Sequence, residues 1–401
     1  MSGILIIGAG QAGVSLAARL RSLGYSGALT LIGEEPVLPY QRPPLSKGYL
    51  LGDMPLDRMF LRPRSWYTDL DIDLKLGTPV ARIDRAARAI HLGGGTIGYD
   101  QLALTTGAIP RRLPTEIGGA LRGTYVIRGL ADIDAVKHEF HAGRRALIIG
   151  GGYIGLEAAA VAAKLGLTVT LNEASDRLLQ RVASPQTAAH FRAMHQAHGV
   201  DIREGVAVKA LLGKEVVTGA LLSDGSTVAA DFVMVGIGVT PATALAEAAG
   251  LAIDNGIRTD AEGRTSDPAI WAAGDCASFP WRNGRLRLES VGNAVDQAEA
   301  VAANMLGAAS PYQASPWFWS DQYDAKLQIA GLSTGYDQVV ARAGASGGVS
   351  FWYLADGHLL AVDAINDPRA FMAAKKLLGV NLSPHLGDIE DANFDLRKLL
   401  S

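Results

Sequence analysis

The 401-residue chain holds a single cysteine, Cys276. One thiol excludes an internal disulfide, a CxxC redox pair, a thiolate-held iron–sulfur cluster and a cysteine-rich zinc site. Any redox chemistry must therefore come from a bound group. An excess of one charge is also missing. Thirty-seven Lys+Arg against 40 Asp+Glu leave a net charge of −3, which argues against a dedicated nucleic-acid binder. No apolar run reaches the ~18 residues that cross a bilayer. The N-terminal run Gly3–Gly8 has no basic residues before it and ends in a glycine turn. It reads as a buried parallel strand rather than a signal peptide. The expectation is a cytoplasmic protein with no membrane partner. Apolar residues at 48% and charged residues at 19% describe a globular chain, long enough for two or three domains at one per roughly 150 residues.

What the chain does have is glycine, 47 residues of it, and two turns concentrate it. The first follows a short apolar strand, Ile4–Ile7, and reads Gly8-Ala9-Gly10-Gln11-Ala12-Gly13. Helical spacing runs from Val14 to Gly24, a strand from Leu29 to Gly33, and Glu34 ends it. Gly8 permits the tight turn, Gly10 lets a pyrophosphate approach, and Gly13 lets helix and strand pack closely. The helix N-terminus offers N–H groups to the phosphates. Glu34, 21 residues after Gly13, is placed to accept from ribose hydroxyls.

The pattern recurs. Ala146–Ile149 reads as a strand, Gly150-Gly151-Gly152-Tyr153-Ile154-Gly155 as the turn, Leu156–Leu165 as a helix and Leu167–Leu171 as the next strand. Glu173 lies 18 residues after Gly155. Two fingerprints imply two dinucleotides, most simply a bound flavin and an exchanging nicotinamide. Glu173 would bond a ribose diol and repel a 2′-phosphate, favouring NADH over NADPH. The nearby Arg177 raises the opposite reading.

The order of these motifs resembles the two-dinucleotide flavoprotein reductases of the glutathione reductase fold. Leu104–Ala108, with Thr106 and Gly107, resembles the family's crossing between domains, and Val235–Pro241, with Gly238, the return crossing. Thr265–Asp275, ending in Gly274-Asp275, resembles the second FAD motif, whose aspartate, here Asp275, holds the ribityl hydroxyls. Pro39–Lys47 and Pro316–Tyr323 are similar to ferredoxin reductases of the putidaredoxin reductase type, which feed haem-thiolate monooxygenases and aromatic-ring dioxygenases. The resemblance implies an α/β fold: two Rossmann-like dinucleotide-binding domains, the FAD domain interrupted by the NAD domain, plus a C-terminal α+β domain. The expected boundaries are 1–109 and 240–312 for FAD, 110–239 for NAD and 313–401 for the interface domain. It implies an enzyme passing electrons from NADH through FAD to a 2Fe–2S ferredoxin that serves an oxygenase, as a monomer or weak dimer. A rubredoxin reductase and an apoptosis-inducing-factor-like flavin-bound binding protein are the alternatives.

Disulfide reductases of this fold carry a cysteine pair just after the first FAD half-motif, and NADH oxidases carry one cysteine. Here that region reads Arg42-Pro43-Pro44-Leu45-Ser46-Lys47. Electrons must leave the flavin directly, and a flavin accepts two as hydride and releases them singly. The resemblance puts Lys47 beside the flavin, where an ammonium stabilises arriving negative charge. It puts Glu157 against that lysine as the counter-charge a buried cation needs. It assigns Arg42 to FAD and Arg128 to the FAD phosphates, where a guanidinium fork suits a pyrophosphate. Val80 and Ala12 are assigned backbone contacts. Leu288–Asn293 matches the flavin pyrimidine edge, with Glu289 toward the nicotinamide and Val291 opening a helix through Gln297. Trp319 is assigned to the flavin face, near where a partner docks.

The C-terminal stretch predicts a hairpin about Asp356-Gly357 and a helix capped by Asp367 with Pro368 at its first position. Basic residues at Arg58, Arg62, Arg64, Arg111-Arg112, Arg144-Arg145 and Lys375-Lys376 would attract an acidic partner, or are scattered solubilising charge. His190, His195 and His198 sit on a predicted helix, where only His195 and His198 share a face and no suitable carboxylate joins them. No metal site is expected.

Overall fold

Ile4 and Ile6 face one apolar layer, Leu5 and Ile7 another. A strand buried on both faces requires that alternation, because successive side chains point to opposite sides. The computed structural model describes residues 3–344 and 347–400. They form two compact units. The first comprises the described residues of 1–41, 55–109 and 239–316; the second those of 42–54, 110–238 and 317–401.

The first unit is built on a five-stranded parallel sheet, in the order Ile270–Ala272, Gln101–Leu104, Ile4–Ile7, Leu29–Ile32, Ile72–Lys75. On one face the helices Gln11–Ser22 and Val291–Met305 bring Leu16, Leu20, Ala298 and Val301 against Ile4, Ile6 and Leu31. On the other, Leu5, Ile7 and Ile32 meet Ile83 and Ile90 from an antiparallel sheet of Val80–Asp84, Ala89–Leu92 and Gly95–Gly98. The chain's outward and return passages are laced inside this unit: Thr106 Oγ1 donates to the Ala242 carbonyl (2.7 Å), and Ala242 N–H to the Gly107 carbonyl (2.9 Å).

The second unit repeats the strand–turn–helix–strand plan. Its parallel sheet runs Asp201–Glu204, Thr168–Glu173, Arg145–Ile149, Phe232–Val235, Thr124–Val126. A three-stranded antiparallel sheet packs Leu211, Val217 and Val228 against Leu147, Ile149, Val233 and Val235. The unit also holds a five-stranded antiparallel sheet in the order Trp317–Gln322, Ala325–Gly331, His358–Ile365, Val349–Ala355, Gln338–Ala343. The architecture is thus the α/β fold with a C-terminal α+β portion that the sequence indicated. The hairpin turns at Asp356-Gly357, both left-handed (φ 48° and 76°), as a two-residue turn with the right twist demands. Asp367 caps the helix Pro368–Gly379 through the Ala370 N–H.

Both cradle helices start earlier than the apolar spacing suggests. They begin at Gln11 and Tyr153 rather than Val14 and Leu156. Gly13 and Gly155 lie inside the first turn. Glycine weakens a helix by propensity, but here its missing Cβ is what lets the helix reach its strand.

Arg342 is buried among the C-terminal elements and donates to the carbonyls of Asp388, Ile389, Asp391, Ala392 and Phe394. Arg342→Met should leave these acceptors unmatched and cost about 3 kcal/mol or more, read as a lowered unfolding midpoint and early proteolytic release of the C-terminal segment. Asp363 is also buried, accepting from the Thr187 hydroxyl (2.8 Å) and the Tyr353 hydroxyl. Burial pushes its carboxyl up to about 6, against its ordinary 3.8. The folded state then holds the extra proton between those values, so stability from this group falls as pH rises through that window and is level above it. Asp363→Asn should flatten that slope in denaturant midpoints measured from pH 3.8 to about 6.

Candidate active site

Every α-helix leaves N–H groups unpaired at its start. The helices Pro185–Ala197, Val291–Met305 and Pro368–Gly379 offer one to the side chains of Ser184, Ser290 and Asp367. The helices Gln11–Ser22 and Tyr153–Lys164 start on Gly10 and Gly152, with no side-chain cap. A Cβ on Gly13 would stand 2.0 Å from the Gly8 carbonyl oxygen, and one on Gly155 2.0 Å from that of Gly150. A Cβ on Gly10 or Gly152 would meet nothing within 4 Å. The outer glycines are thus fixed by packing. The middle ones border open space at a helix N-terminus, the setting an anionic pyrophosphate fits.

Around the first cradle, Gln11 Nε2 donates to Ser15 Oγ (3.3 Å), Ala12 is buried, and Glu34 stands exposed just past the second strand. Gly274 lies beside Ala12: its Cβ would be 3.0 Å from the Ala12 Cβ, and its φ is +81°. Gly274 N–H donates to Gln297 Oε1 (2.9 Å). Gln297 Nε2 is buried with no hydrogen-bond partner among the described residues. A buried amide donor normally has one, so this nitrogen, next to Gly274-Asp275, suits a polar group of a bound cofactor. Asp275 offers its carbonyl to Arg287 (3.2 Å), and Arg287 is paired with Glu289 (2.6 Å). Val291 opens its helix as expected, although the Ser290 hydroxyl already takes the Asn293 N–H. Val80 begins its strand half-buried. Cys276 is sealed from solvent, its Sγ 3.5 Å from the Leu104 and 3.4 Å from the Ala273 carbonyl, and burial pushes the thiol up.

Within the second unit the 3₁₀ turn Pro43–Ser46 delivers Lys47 to Glu157, one turn into the second cradle helix. Lys47 Nζ lies 3.0 Å from Glu157 Oε1. The carboxylate is 4% exposed and accepts from the hydroxyls of Ser46 (Oε2, 2.6 Å) and Ser320 (Oε1, 2.6 Å). Burial raises its pKa, opposed by the Lys47 charge and the two hydroxyls. This is how a buried charge is held: paired and hydrogen-bonded. The ammonium also stands 5.9 Å from the centre of the Trp319 ring, which stacks on Trp317 at 5.4 Å. Lys47, Glu157 and Trp319 are thus brought together. Arg42 donates to the Arg128 carbonyl (2.7 Å).

At the second cradle Glu173 ends its strand. It accepts from Gly151 N–H (2.6 Å) and Ser175 N–H (2.7 Å), so its carboxylate rests against the glycine turn itself. Arg177, the possible phosphate ligand, is spent on the carbonyls of Leu178, Gln180, Ala183 and Ser184. Tyr153 packs on Phe318 at 4.8 Å, and Ile154 is exposed. Gly238 (φ +94°) lies beside Arg181. His195 and His198 both pack on the Tyr323 ring. Among the described residues no group of three His, Cys, Asp or Glu could hold a metal, and no helix is long and apolar enough to cross a membrane.

Two open dinucleotide cradles and a sequestered lone thiol define an oxidoreductase that hands electrons between dinucleotides without a thiol relay. Residues 2–298 match the pyridine nucleotide-disulphide oxidoreductase family and residues 317–400 the reductase C-terminal family. The chain belongs to the pyridine nucleotide-disulphide oxidoreductases. It is 43% identical over 399 residues to rhodocoxin reductase of Rhodococcus erythropolis, covering 98% of this chain and 93% of the relative. It is 39% identical over 407 residues to putidaredoxin reductase CamA of Pseudomonas putida, covering 99% and 96%. The crystal structure of a covalent putidaredoxin reductase–putidaredoxin complex superposes with a TM-score of 0.95 at 39% identity, over 100% of this chain and 98% of that one.

Sequence reasoning missed Ser46, Ser320, Gln322 and Gln297 as functional candidates. Ser320 and Gln322 share one parity of the strand Trp317–Gln322, a polar alternation inside an aromatic run that signals a buried polar face. Cys276→Ser should leave NADH-driven flavin reduction within about twofold of wild type, since a buried thiol acts as a small apolar group. Stopped-flow absorbance of the flavin band checks this, and loss of reduction would restore a thiol relay.

Proposed function

We propose that this chain is an NADH-dependent, FAD-containing ferredoxin reductase, passing electrons from NADH through FAD to a 2Fe–2S ferredoxin that serves an oxygenase. The observation carrying this reading is the pair of open glycine cradles together with the burial of the sole cysteine. Relatives named for ferredoxin reduction in oxygenase systems, such as the biphenyl dioxygenase component of Paraburkholderia xenovorans at 38% identity over 401 residues, support it. FAD supplies the step from two-electron donor to one-electron acceptor. The chain's own residues bind and bias. The first cradle, Asp275 and Gln297 would hold FAD, with Arg42 also assigned to FAD and Arg128 to its phosphates. The second cradle holds NADH, with Glu173 on the ribose diol. Lys47, paired with Glu157, would stabilise the negative charge that arrives on reduction. Trp319 lines the approach of the partner. On this reading residues 1–109 and 240–312 serve FAD, 110–239 serve NADH and 313–401 meet the partner, and the cytoplasm, where NADH is supplied, is the compartment this activity needs.

Anaerobic addition of NADH should bleach the visible flavin band rapidly, NADPH much more slowly, and the reduced protein should then reduce a 2Fe–2S ferredoxin. A flavin that forms a lasting charge-transfer complex and passes nothing on would support the binding-protein reading instead. Transfer to a rubredoxin alone would change the partner. Glu173→Ala should narrow the NADH over NADPH preference in kcat/KM by about tenfold, the scale of one charged hydrogen bond. An unchanged ratio would remove the ribose role.

A further inference from the structure

Beyond Glu157 the hydrogen bonding continues within the second unit. Ser320 Oγ is 2.6 Å from Glu157 Oε1 and 3.1 Å from Gln322 Nε2. Gln322 Oε1 is 2.8 Å from His195 Nε2, and His195 Nδ1 is 3.3 Å from the Tyr323 hydroxyl. Ser320, Gln322 and His195 are all at most 1% exposed, so bulk solvent does not reach these groups.

Chemistry fixes the direction of every bond. A carboxylate only accepts, so the Ser320 hydroxyl donates to Glu157. Its oxygen is then left to accept, and the Gln322 amide NH₂ is the donor that faces it. That orientation turns the Gln322 oxygen toward His195, whose Nε2 must carry the hydrogen. Nδ1 is left as the acceptor for Tyr323. Burial depresses the His195 imidazole to about 4, so near neutral pH it carries one ring hydrogen, and the chain specifies where.

The reverse arrangement has a defined consequence. If the Gln322 amide turned over, its oxygen would face Ser320 and draw the hydroxyl away from Glu157. Among the described residues, His195 is the partner that holds that amide from the far side. Backbone geometry supports the same arrangement. Phe318, Ser320 and Gln322 share one face of their strand, and Phe318 packs on Tyr153, one turn before Glu157 on the cradle helix.

We propose that His195, Gln322 and Ser320 are positioning residues: a one-way hydrogen-bond chain that keeps a hydroxyl donating to Glu157, so that the carboxylate stays paired with Lys47 and holds it in place for flavin reduction. This rests on the role proposed above for Lys47. Without the hydroxyl the buried carboxylate loses one of the donors that offset its burial, and the ion pair that holds Lys47 in place weakens.

The test uses the FAD-loaded protein, with midpoint potential and anaerobic reduction rate by NADH measured for wild type, Lys47→Met, Ser320→Ala, Ser320→Thr, His195→Phe and His195→Gln. Lys47→Met should move the flavin potential to more negative values. Ser320→Ala and His195→Phe should move it in the same direction and slow reduction about tenfold, the scale of a hydrogen bond to a charged group. Ser320→Thr, which keeps the hydroxyl, and His195→Gln, which keeps a side-chain N–H, should return toward wild type. Nitrogen-15 NMR should find the His195 hydrogen on Nε2, and Gln322→Leu should remove that preference with or without bound flavin. A shifted Lys47→Met beside unshifted Ser320→Ala and His195→Phe overturns the chain, as does an Nδ1–H tautomer. An unshifted Lys47→Met overturns the chain and the lysine's role while leaving the NADH-to-ferredoxin activity intact. A wild-type flavin that NADH does not reduce overturns that activity.

Discussion

A carbonyl oxygen sets the distance between strand and helix twice in this protein. The oxygens of Gly8 and Gly150 occupy the places where side chains of Gly13 and Gly155 would begin. Only glycine permits that approach, and the approach fixes the rest. It draws each helix onto its parallel sheet and brings the uncapped helix start over the strand end. It also leaves the middle glycine facing space. In the second unit it places Glu157 one turn from that helix start, within reach of Lys47. The cradle and the buried ion pair are therefore products of one packing constraint.

Much of this was legible in the chain because backbone geometry dictated residue type. Gly8, Gly13, Gly150 and Gly155 could be placed without any tertiary information, and so could the acidic residues that close each strand. The lone cysteine, a negative observation, excluded disulfide chemistry directly. Helix starts were less legible. Propensity treats glycine as an interruption, whereas at Gly13 and Gly155 close approach outweighs it. The pairing of Lys47 with Glu157 spans 110 residues and has no local signature; resemblance supplied it. Ser320 and Gln322 were hidden inside an aromatic run, where the tryptophans drew attention and the alternating polar residues carried the buried network. Arg177, open on sequence grounds to a phosphate role, turned out to be a clasp on four carbonyls, a role set by a loop whose path no spacing rule describes.

The strand Trp317–Gln322 serves two purposes at once because its side chains alternate. Phe318, Ser320 and Gln322 turn to the cradle helix and its neighbours. Trp317 and Trp319 stack on the opposite parity, with Lys375 Nζ 5.1 Å from the first ring and Lys47 Nζ 5.9 Å from the second. Cations thus flank the indole pair at both ends, an arrangement favoured by the negative faces of the rings. Lys47 is shared between the two sides. It answers the carboxylate on one and the tryptophan on the other, so a change to either face of the strand is felt at the same ammonium.

Arg342 gives the C-terminal segment an unusual dependence. Five carbonyls between Asp388 and Phe394 converge on one guanidinium, which means that the segment is recognised by its main chain rather than by its side chains. Sequence drift there is cheap as long as the path is kept, while a one-residue insertion or deletion would shift the carbonyls past their donors. Lineages of such a protein should therefore vary freely in residue identity across this stretch yet hold its length constant.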